Sequence, residues 1–238
     1  MNDLIKAKLK VAGIHLCISV FIFIGILYLI LVEWYPGVFF EAEGGWSGVK
    51  LMAVVHLVLG PILTLIIFNH TKTKKEIFLD LSLIAVVQIS ALIWGGLQVY
   101  SERPVAMVMW EGTFYTVTED YYSQQNLNLK NIASFSDEKP LIIYAETDNS
   151  VVQLKEIIRL TDLKIPPFAQ VHLYQSVKEN FNKMLSHQLS SDFLLTYSRK
   201  EDAEGSQHVF LGKAKHKNLL VHMDSAANLL KITMRPVL

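Results

Sequence analysis

Three long apolar stretches within the first hundred residues constrain this chain more than any other feature. They cover residues 11–32, 51–68 and 81–100, and none contains Lys, Arg, Asp or Glu. At ~1.5 Å per residue, a helix of the first stretch spans ~33 Å, about the thickness of the hydrocarbon core of a bilayer. A helix of this length in a soluble protein normally keeps one charged face in water. The stretches therefore predict three transmembrane helices, with residues 1–104 as the membrane region.

A cleaved signal peptide is the alternative interpretation of the first stretch. Signal peptides have a shorter apolar region, which is followed by a cleavage pattern of small residues. In this chain the apolar stretch is followed by Glu33, Trp34 and Tyr35. We therefore expect the first helix to be retained as a membrane anchor.

The basic residues close to the apolar stretches predict the orientation in the membrane. Three lysines precede the first helix and three lie in the loop between the second and third helices, namely Lys6, Lys8, Lys10, Lys72, Lys74 and Lys75. On the opposite side, only Lys50 and Arg103 lie next to the helix ends. The positive-inside rule then places the N-terminus in the cytoplasm. Three crossings place the rest of the chain outside the cytoplasm.

Residues 105–238 have the pattern of a small folded domain, and 134 residues suffice for a core. Turn residues and β-branched or aromatic runs predict strands at residues 105–110, 113–118, 141–146, 208–214, 219–224 and 229–234. A short helix is expected after Asn149 or Ser150, and a longer one over residues 168–189. Residues 198–207 are predicted as an exposed loop. The expected fold is an antiparallel sheet with a helix across one face, an α+β extracytoplasmic domain after the helical membrane bundle.

Composition and motifs argue against several classes of function. The chain has 22 Lys plus Arg and 22 Asp plus Glu, so its formal charge of zero is unlike that of a general nucleic-acid binder. The single cysteine, Cys17, cannot form an internal disulfide. The sequence contains no phosphate-binding loop, nucleophile elbow, zinc-protease motif or Cys-x-x-Cys pair. We therefore expect a protein without catalytic residues, cofactor or metal.

His15 and His56 are candidate functional residues, because ionisable groups inside a membrane are costly and are kept for a reason. Measured from the edges of their apolar stretches, the two histidines lie ~14 Å apart along the membrane normal. That separation is too large for both rings to bind one haem iron. His15 is expected to hydrogen-bond within the helical bundle or to reach the headgroups.

The second and third stretches contain further polar and helix-breaking residues. Gly60 and Pro61 predict a bend in the second helix, where the hydroxyl of Thr64 can satisfy a freed backbone group. Gln88 and Gln98 can donate hydrogen bonds to another transmembrane helix. These residues are expected to contribute to the specificity of helix packing.

Three histidines near the C-terminus, His208, His216 and His222, suggest a zinc site. A hairpin register in which Ala214 opposes Leu219 places His208 and His222 on opposite faces of the sheet. This register predicts that the three histidines do not form one site.

Several short motifs lie at the edges of the predicted helices. They are Trp34-Tyr35-Pro36 after the first helix, HLVLGPILT at residues 56–64, Leu-Asp-Leu at residues 79–81 and Arg103-Pro104-Val105 after the third helix. Together they resemble the TfpX/TfpZ family of type IV pilin accessory proteins, over roughly the first 110 residues. The chain departs from that family at His56, where the resemblance leads us to expect an aspartate.

The resemblance implies an inner-membrane protein of a Gram-negative bacterium that assists the assembly of type IV pili. It implies the pilin subunit in the same membrane, the bilayer and other assembly components as partners, and no catalytic residue. His15, His56 and Gln88 are the predicted partner-binding residues. The pilin helix of such systems carries a glutamate near its cytoplasmic end, so a pairing of His15 with that acid is one hypothesis.

Two alternative functions stay open. A membrane enzyme that modifies pilin, such as a glycosyltransferase, is expected to gather charged residues at the membrane edge. The outer acidic residues are Glu33, Glu41, Glu43 and Glu102, a set that is also typical of a solvated loop. A membrane-anchored ligand sensor is expected to have a cytoplasmic output domain, whereas about ten residues precede the first stretch.

Overall fold

The computed structural model describes residues 2–69, 71–147, 150–190, 193 and 207–235. The chain forms two units. The first comprises Met1–Pro36 and Gly45–Tyr100, and the second comprises Gly37–Gly44 and Ser101–Leu238. The loop between the first and second apolar helices therefore belongs to the second unit.

The helices are, in chain order, α1 (Asn2–Tyr28), α2 (Phe39–Ala42), α3 (Gly45–Ala53), α4 (Gly60–Ile67), α5 (Lys74–Ser101), α6 (Glu119–Gln124), α7 (Leu129–Ile132), α8 (Val151–Asp162) and α9 (Val177–Met184). The π-helical turn Leu29–Trp34 continues α1. A second π-helical turn, Val54–Leu59, joins α3 to α4. The strands are β1 (Pro104–Trp110), β2 (Thr113–Thr118), β3 (Leu141–Ala145), β4 (Tyr174–Ser176), β5 (His208–Lys213), β6 (Asn218–Met223) and β7 (Leu229–Met234).

The first unit contains three helices that are long and apolar enough to cross a membrane, over Asp3–Trp34, Gly45–Ile67 and Lys74–Ser101. In the most apolar window of the first and third of these, only 11% of the residues are buried. Phe21 is 81% exposed and Trp94 is 71% exposed. A surface of this kind is stable in lipid and not in water. The three predicted spans are thereby confirmed as candidate membrane helices.

The second span changes its helical geometry at its centre. The π-helical turn Val54–Leu59 leads directly into α4, in which Pro61 occupies the first turn. Pro61 has no N–H, so an interruption of the regular hydrogen-bond ladder is expected just before it. The chain remains helical through Gly60 (φ −62°, ψ −55°). A bend of the helix axis at Gly60 and Pro61 stays a prediction.

The second unit is built on a seven-stranded sheet of order β4-β3-β1-β2-β5-β6-β7. The predicted hairpin of β1 and β2 is confirmed, and so are β3 and the three C-terminal strands. The expectation of a purely antiparallel sheet is wrong, because β1 pairs with β3 and β2 pairs with β5 in parallel. Each parallel pair needs a crossover connection, which local turn signals do not reveal. With its helices, the sheet confirms the predicted α+β class.

The long helix predicted over residues 168–189 is wrong in most of its length. The structure forms two 3₁₀ turns, Pro167–Ala169 and Val171–Leu173, then strand β4, and only then α9. The apolar spacing of three to four residues is real, but pairing of β4 with β3 uses part of it in a strand. The shorter predicted helix is confirmed as α8.

Helix α8 begins as the sequence predicts, because Ser150 Oγ accepts the backbone N–H of Gln153 at 3.2 Å. Asn149, the other candidate cap, lies outside the described residues, as do residues 198–206 of the predicted loop.

Helices cover both faces of the sheet, whereas the sequence predicted one. On one face Val108 of β1 packs in a cluster with Leu160 of α8. On the other face Phe181 of α9 contacts Phe210 of β5, which in turn contacts Phe114 of β2, with ring centroids 6.3 and 5.9 Å apart. The central strand β1 is therefore buried on both sides, which explains its continuous apolar sequence.

The C-terminal hairpin has a register two residues away from the predicted one. Ala214 N–H donates to the carbonyl of Lys217 at 2.9 Å, so the turn is tighter than expected. A shift by two residues preserves the alternation of faces. His208 and His222 therefore lie on opposite faces, as predicted, and His222 Nε2 is buried 3.0 Å from Thr233 Oγ1.

Candidate functional site

A cluster of polar side chains lies within the first unit, which we call the membrane unit because it contains the three candidate membrane helices. The Nδ1 atom of His15, on α1, lies 2.7 Å from Oγ1 of Thr64, on α4. The Nε2 atom of the same ring lies 2.8 Å from Oε1 of Gln88, on α5. An amide oxygen only accepts, so His15 Nε2 donates to Gln88, while His15 Nδ1 shares a hydrogen bond with the Thr64 hydroxyl. One imidazole thus joins the three membrane helices. We call His15, His56, Thr64 and Gln88 the intramembrane cluster.

Two nitrogens of the intramembrane cluster lack hydrogen bonds. His56 is 4% exposed and Gln88 is 7% exposed. Neither His56 Nε2 nor Gln88 Nε2 has a hydrogen-bond partner in the part of the chain that the structure describes. A buried polar group in this state costs about 1–3 kcal/mol, and lipid offers no water to relieve it. The cluster is therefore only partly satisfied.

Gly60 explains how the Gln88 amide reaches its place. A Cβ at position 60 would overlap the side-chain amide of Gln88. The glycine therefore provides the space in which the amide packs against the second span. From the sequence, Gly60 is expected at a bend and Thr64 beside a freed backbone group, and both expectations stay predictions. In addition, the structure shows Gly60 beside Gln88 and the Thr64 hydroxyl bonded to His15.

A cavity of about 290 Å³ opens onto the intramembrane cluster. Its walls are apolar residues of α1 and α5, and the second span contributes His56 and Thr64. All three predicted partner-binding residues, His15, His56 and Gln88, line this one cavity. Their binding of a partner stays a prediction.

The estimated separation of ~14 Å between His15 and His56 along the membrane normal stays a prediction. His15 is hydrogen-bonded to Thr64, which follows His56 by eight residues in the second span. About 12 Å of helix axis therefore lie between His56 and the residue that His15 contacts. Both ring nitrogens of His15 are hydrogen-bonded within the bundle, which does not favour its use as a haem ligand.

A second cavity, of about 570 Å³, lies in the second unit. Its lining includes the stacked rings of Tyr115 and Phe168, whose centroids are 4.4 Å apart with planes inclined by 5°. Glu102 lies in the same lining and is paired with Lys215 at 3.4 Å. Aromatic faces beside charged groups are typical of binding sites for organic ligands. We call this the second-unit cavity.

Glu43 also lines the second-unit cavity and comes from the loop between the first two spans. Its Oε2 accepts the backbone N–H of Lys215 at 3.4 Å. Burial raises the pKa of the Glu43 carboxyl, although the hydrogen bonds and the charge of Lys215 oppose that shift. The carboxyl is therefore easier to protonate than a surface glutamate.

The loop Gly37–Gly44 is fixed to the C-terminal strands by its backbone. The Ala42 carbonyl accepts the N–H of His216 at 3.0 Å. Gly44 has φ +77°, and a Cβ there would overlap the His216 ring, so only glycine suits this position. The sequence predicted a solvated loop here, which fits the exposed Glu41, whereas Glu43 lies in the second-unit cavity. The glycines at the two ends of this loop, Gly37 and Gly44, both have positive φ and are the local sequence signals of a fixed turn.

No group of three or more His, Cys, Asp or Glu side chains suited to hold a metal ion occurs among the described residues. Together, the fold and the two cavities define a protein with three candidate membrane helices and a folded α+β unit.

Comparison with known proteins places the chain among fimbrial assembly proteins. It is 36% identical over 99 residues to the fimbrial assembly protein of serogroups C1 and C2 of Dichelobacter nodosus, which covers 42% of this chain and 76% of that protein. It is also 36% identical over 99 residues to the serogroup E1 and serogroup I proteins of the same organism, and there the match spans only 38% of each relative. The chain belongs to this family of fimbrial assembly proteins. No model of a protein family matches the chain. No solved structure matches it either.

Proposed function

We propose that this chain is an inner-membrane accessory protein that assists the assembly of type IV pili by binding the pilin subunit before it enters the pilus. The observation that carries the proposal is the 36% identity to fimbrial assembly proteins. The motifs that resemble the TfpX/TfpZ family favour the type IV system and pilin as the partner. The names of the relatives also favour a role without catalysis.

Two features of the chain suit a protein that holds a pilin. A pilin waiting in the membrane presents an apolar helix in the bilayer and a globular head outside it, as the resemblance implies. The present chain has a cavity among its candidate membrane helices and another in its folded unit. Each cavity contains buried polar groups among apolar or aromatic residues, the composition expected of a recognition site.

The orientation that we propose places the N-terminus in the cytoplasm and the second unit in the periplasm. It rests on the six lysines close to one side of the spans, against Lys50 and Arg103 close to the other. In this orientation the second unit and the head of a membrane-held pilin occupy the same compartment.

A gene deletion tests the proposal. We expect the deletion strain to lose surface pili while pilin is still synthesised, and the full-length chain supplied in trans to restore them. Surface pili are counted by electron microscopy, and pilin is measured by immunoblot of whole cells. Normal piliation in the deletion strain would contradict the proposal.

The second-unit cavity favours a second candidate function, a pilin-modifying enzyme. Glu43, with its raised pKa, and Glu102 are two carboxyls in one cavity with aromatic residues. This candidate predicts that the deletion strain retains pili and that the mass of its pilin changes. Mass spectrometry of pilin from the two strains separates the two functions.

A further inference from the structure

The cavity in the membrane unit is an open groove between two helices. Its walls are Ile14, Ile18 and Ile22 of α1 and Leu81, Ala85 and Ile89 of α5. These residues recur every three or four positions, so each set forms one stripe along its helix. Ile18 is 56% exposed and Ile89 is 52% exposed, although both line the cavity. The groove therefore opens to the outside of the bundle, over about three helical turns. We call it the intramembrane groove.

The floor of the intramembrane groove carries hydrogen-bonding groups that the bundle does not use. His56 and Gln88 are more than nine-tenths buried and line the groove. Their Nε2 atoms have no hydrogen-bond partner among the described residues. Gln88 Nε2 is a donor, and His56 Nε2 is a donor in one tautomer. A hydrogen-bond acceptor that entered the groove would satisfy both.

The depth of these nitrogens restricts where such an acceptor comes from. His56 is the sixth residue of the apolar stretch 51–68, and Gln88 is the eighth residue of the stretch 81–100. At ~1.5 Å per residue, both lie inside the hydrocarbon core, roughly 8–10 Å from its nearer edge. Lipid phosphates do not reach this depth, and acyl chains carry no acceptor. The acceptor must come from another membrane-embedded protein segment.

A second copy of this chain offers the exposed hydroxyl of Ser90, but no carboxyl and no unbonded carboxamide oxygen at this depth. The three apolar stretches contain no Asp or Glu, and their side-chain amides are Gln88 and Gln98. Gln88 Oε1 already accepts from His15. Gln98 lies only three residues from the end of α5, far from the middle of the membrane. A different membrane helix is the better occupant.

We propose that the intramembrane groove binds a transmembrane helix of a partner, and that this helix places a carboxyl or carboxamide oxygen against His56 and Gln88. The apolar walls receive the apolar face of the helix, and Ala85 allows its backbone to approach closely. Under the proposed function, on which the identity of the partner rests, this helix belongs to pilin. The expected contact differs from the pairing of His15 with an acid, because both ring nitrogens of His15 are already bonded.

Site-directed photocrosslinking in living cells tests the groove. A benzophenone amino acid replaces Ile89 in the groove wall, and as a matched control it replaces Leu83 on the opposite face of the same helix. Leu83 is 65% exposed and Ile89 is 52% exposed, so both positions face out of the bundle. We expect Ile89, and not Leu83, to give an adduct with a membrane-spanning peptide of pilin, identified by mass spectrometry.

His56→Leu then tests the hydrogen bond itself. His56 Nε2 bonds nothing in the described part of the chain, so the replacement is expected to leave the bundle folded. It removes one of the two donors for the partner, and we expect the Ile89 adduct to fall about tenfold. Thr64→Val is the control, because it removes a bond of His15 and leaves both donors in place. Replacing the acceptor residue of the crosslinked partner helix with leucine should lower the yield of the Ile89 adduct to the same extent.

The outcomes separate this inference from the proposed function. An Ile89 adduct only with lipid or with a second copy of the chain overturns the groove as a partner site, as does an adduct that His56→Leu leaves unchanged. The proposed function stands in those cases if deletion still abolishes pili. A His56-dependent adduct with an identified membrane helix of a protein other than pilin supports the groove and contradicts pilin as its occupant.

Discussion

A buried pair of hydroxyls in the second unit and the intramembrane cluster in the first unit differ in how fully they are hydrogen-bonded. In the second unit, Tyr174 donates from its hydroxyl to the Phe168 carbonyl at 3.1 Å and lies 3.0 Å from the hydroxyl of Tyr122, so both hydroxyls have partners. In the membrane unit, His56 Nε2 and Gln88 Nε2 lie buried without one in the described residues. A satisfied pair stabilises a fold, whereas an unsatisfied group costs stability and is retained for another reason. The hydroxyl pair therefore stabilises the second unit, whereas the unpartnered nitrogens of His56 and Gln88 lower the stability of the first unit.

Tyr174→Phe should produce the largest loss of stability. The substitution removes two hydrogen bonds and leaves the Tyr122 hydroxyl buried without an acceptor, which costs about 1–3 kcal/mol. Thermal unfolding of the detergent-solubilised full chain, followed through the β-sheet signal, measures the effect. Tyr121→Phe, at a half-buried tyrosine, should change the unfolding temperature little. An equal effect of the two substitutions would remove the distinction on which the comparison depends.

His56→Leu should have the opposite sign. It replaces an unsatisfied buried imidazole with an apolar side chain and is expected to raise the stability of the purified chain by about 1 kcal/mol. Piliation should nevertheless fall, because a donor for the partner is lost. A matched pair of assays, the unfolding temperature in detergent and pilus counts in cells, checks this. If stability fell as far as in Tyr174→Phe, His56 would be a structural residue.

Gly60→Ala should give a loss of about 1 kcal/mol, because the new methyl displaces the Gln88 amide from its bond with His15. Gly96→Ala is the matched control, since a Cβ there meets no atom within 4 Å. Alanine in a helix normally favours folding relative to glycine, by about 0.5–1 kcal/mol. The two glycine substitutions should therefore shift the unfolding temperature in opposite directions. Two shifts of the same sign would show that the Gln88 amide is not fixed by this packing.

The smallest expected effect concerns pH and Glu43. Burial raises the pKa of its carboxyl above the ordinary 4.5, so the folded state binds this proton more tightly than the unfolded state. The contribution of Glu43 to stability is then greatest below pH 4.5 and is lost as the pH rises through the raised pKa. Glu43→Gln should flatten the dependence of the unfolding temperature on pH in that range. An unchanged profile in Glu43→Gln would contradict a raised pKa.

The parts of the fold that local sequence determines could be predicted. Uncharged stretches indicated the spans, and residues Glu111 and Gly112 between two β-branched runs indicated the first hairpin. Pairings between distant segments could not be predicted, because strands far apart in sequence leave no turn signal. The parallel contact of β2 with β5 and the strand β4, in a segment predicted as helix, are of this kind.

The sequence indicated which residues form the candidate site, but it did not indicate how they are arranged in space. Polar residues inside apolar stretches identified His15, His56 and Gln88, because their cost in a membrane is independent of the fold. Their meeting in one cavity depends on how the three helices pack and which faces they turn to one another, which the apolar stretches do not show. The place of Glu43 in a cavity depends on His216 and Lys215, about 170 residues further along the chain.

The attachment of the loop Gly37–Gly44 to the C-terminal strands sets an order of events during synthesis. Ala42 leaves the ribosome long before His216, the residue whose N–H its carbonyl accepts. At about 5–20 residues per second, the interval is on the order of ten seconds or more. Throughout that time the nascent loop has no docking partner, so this part of the second unit closes only after His216 has been synthesised.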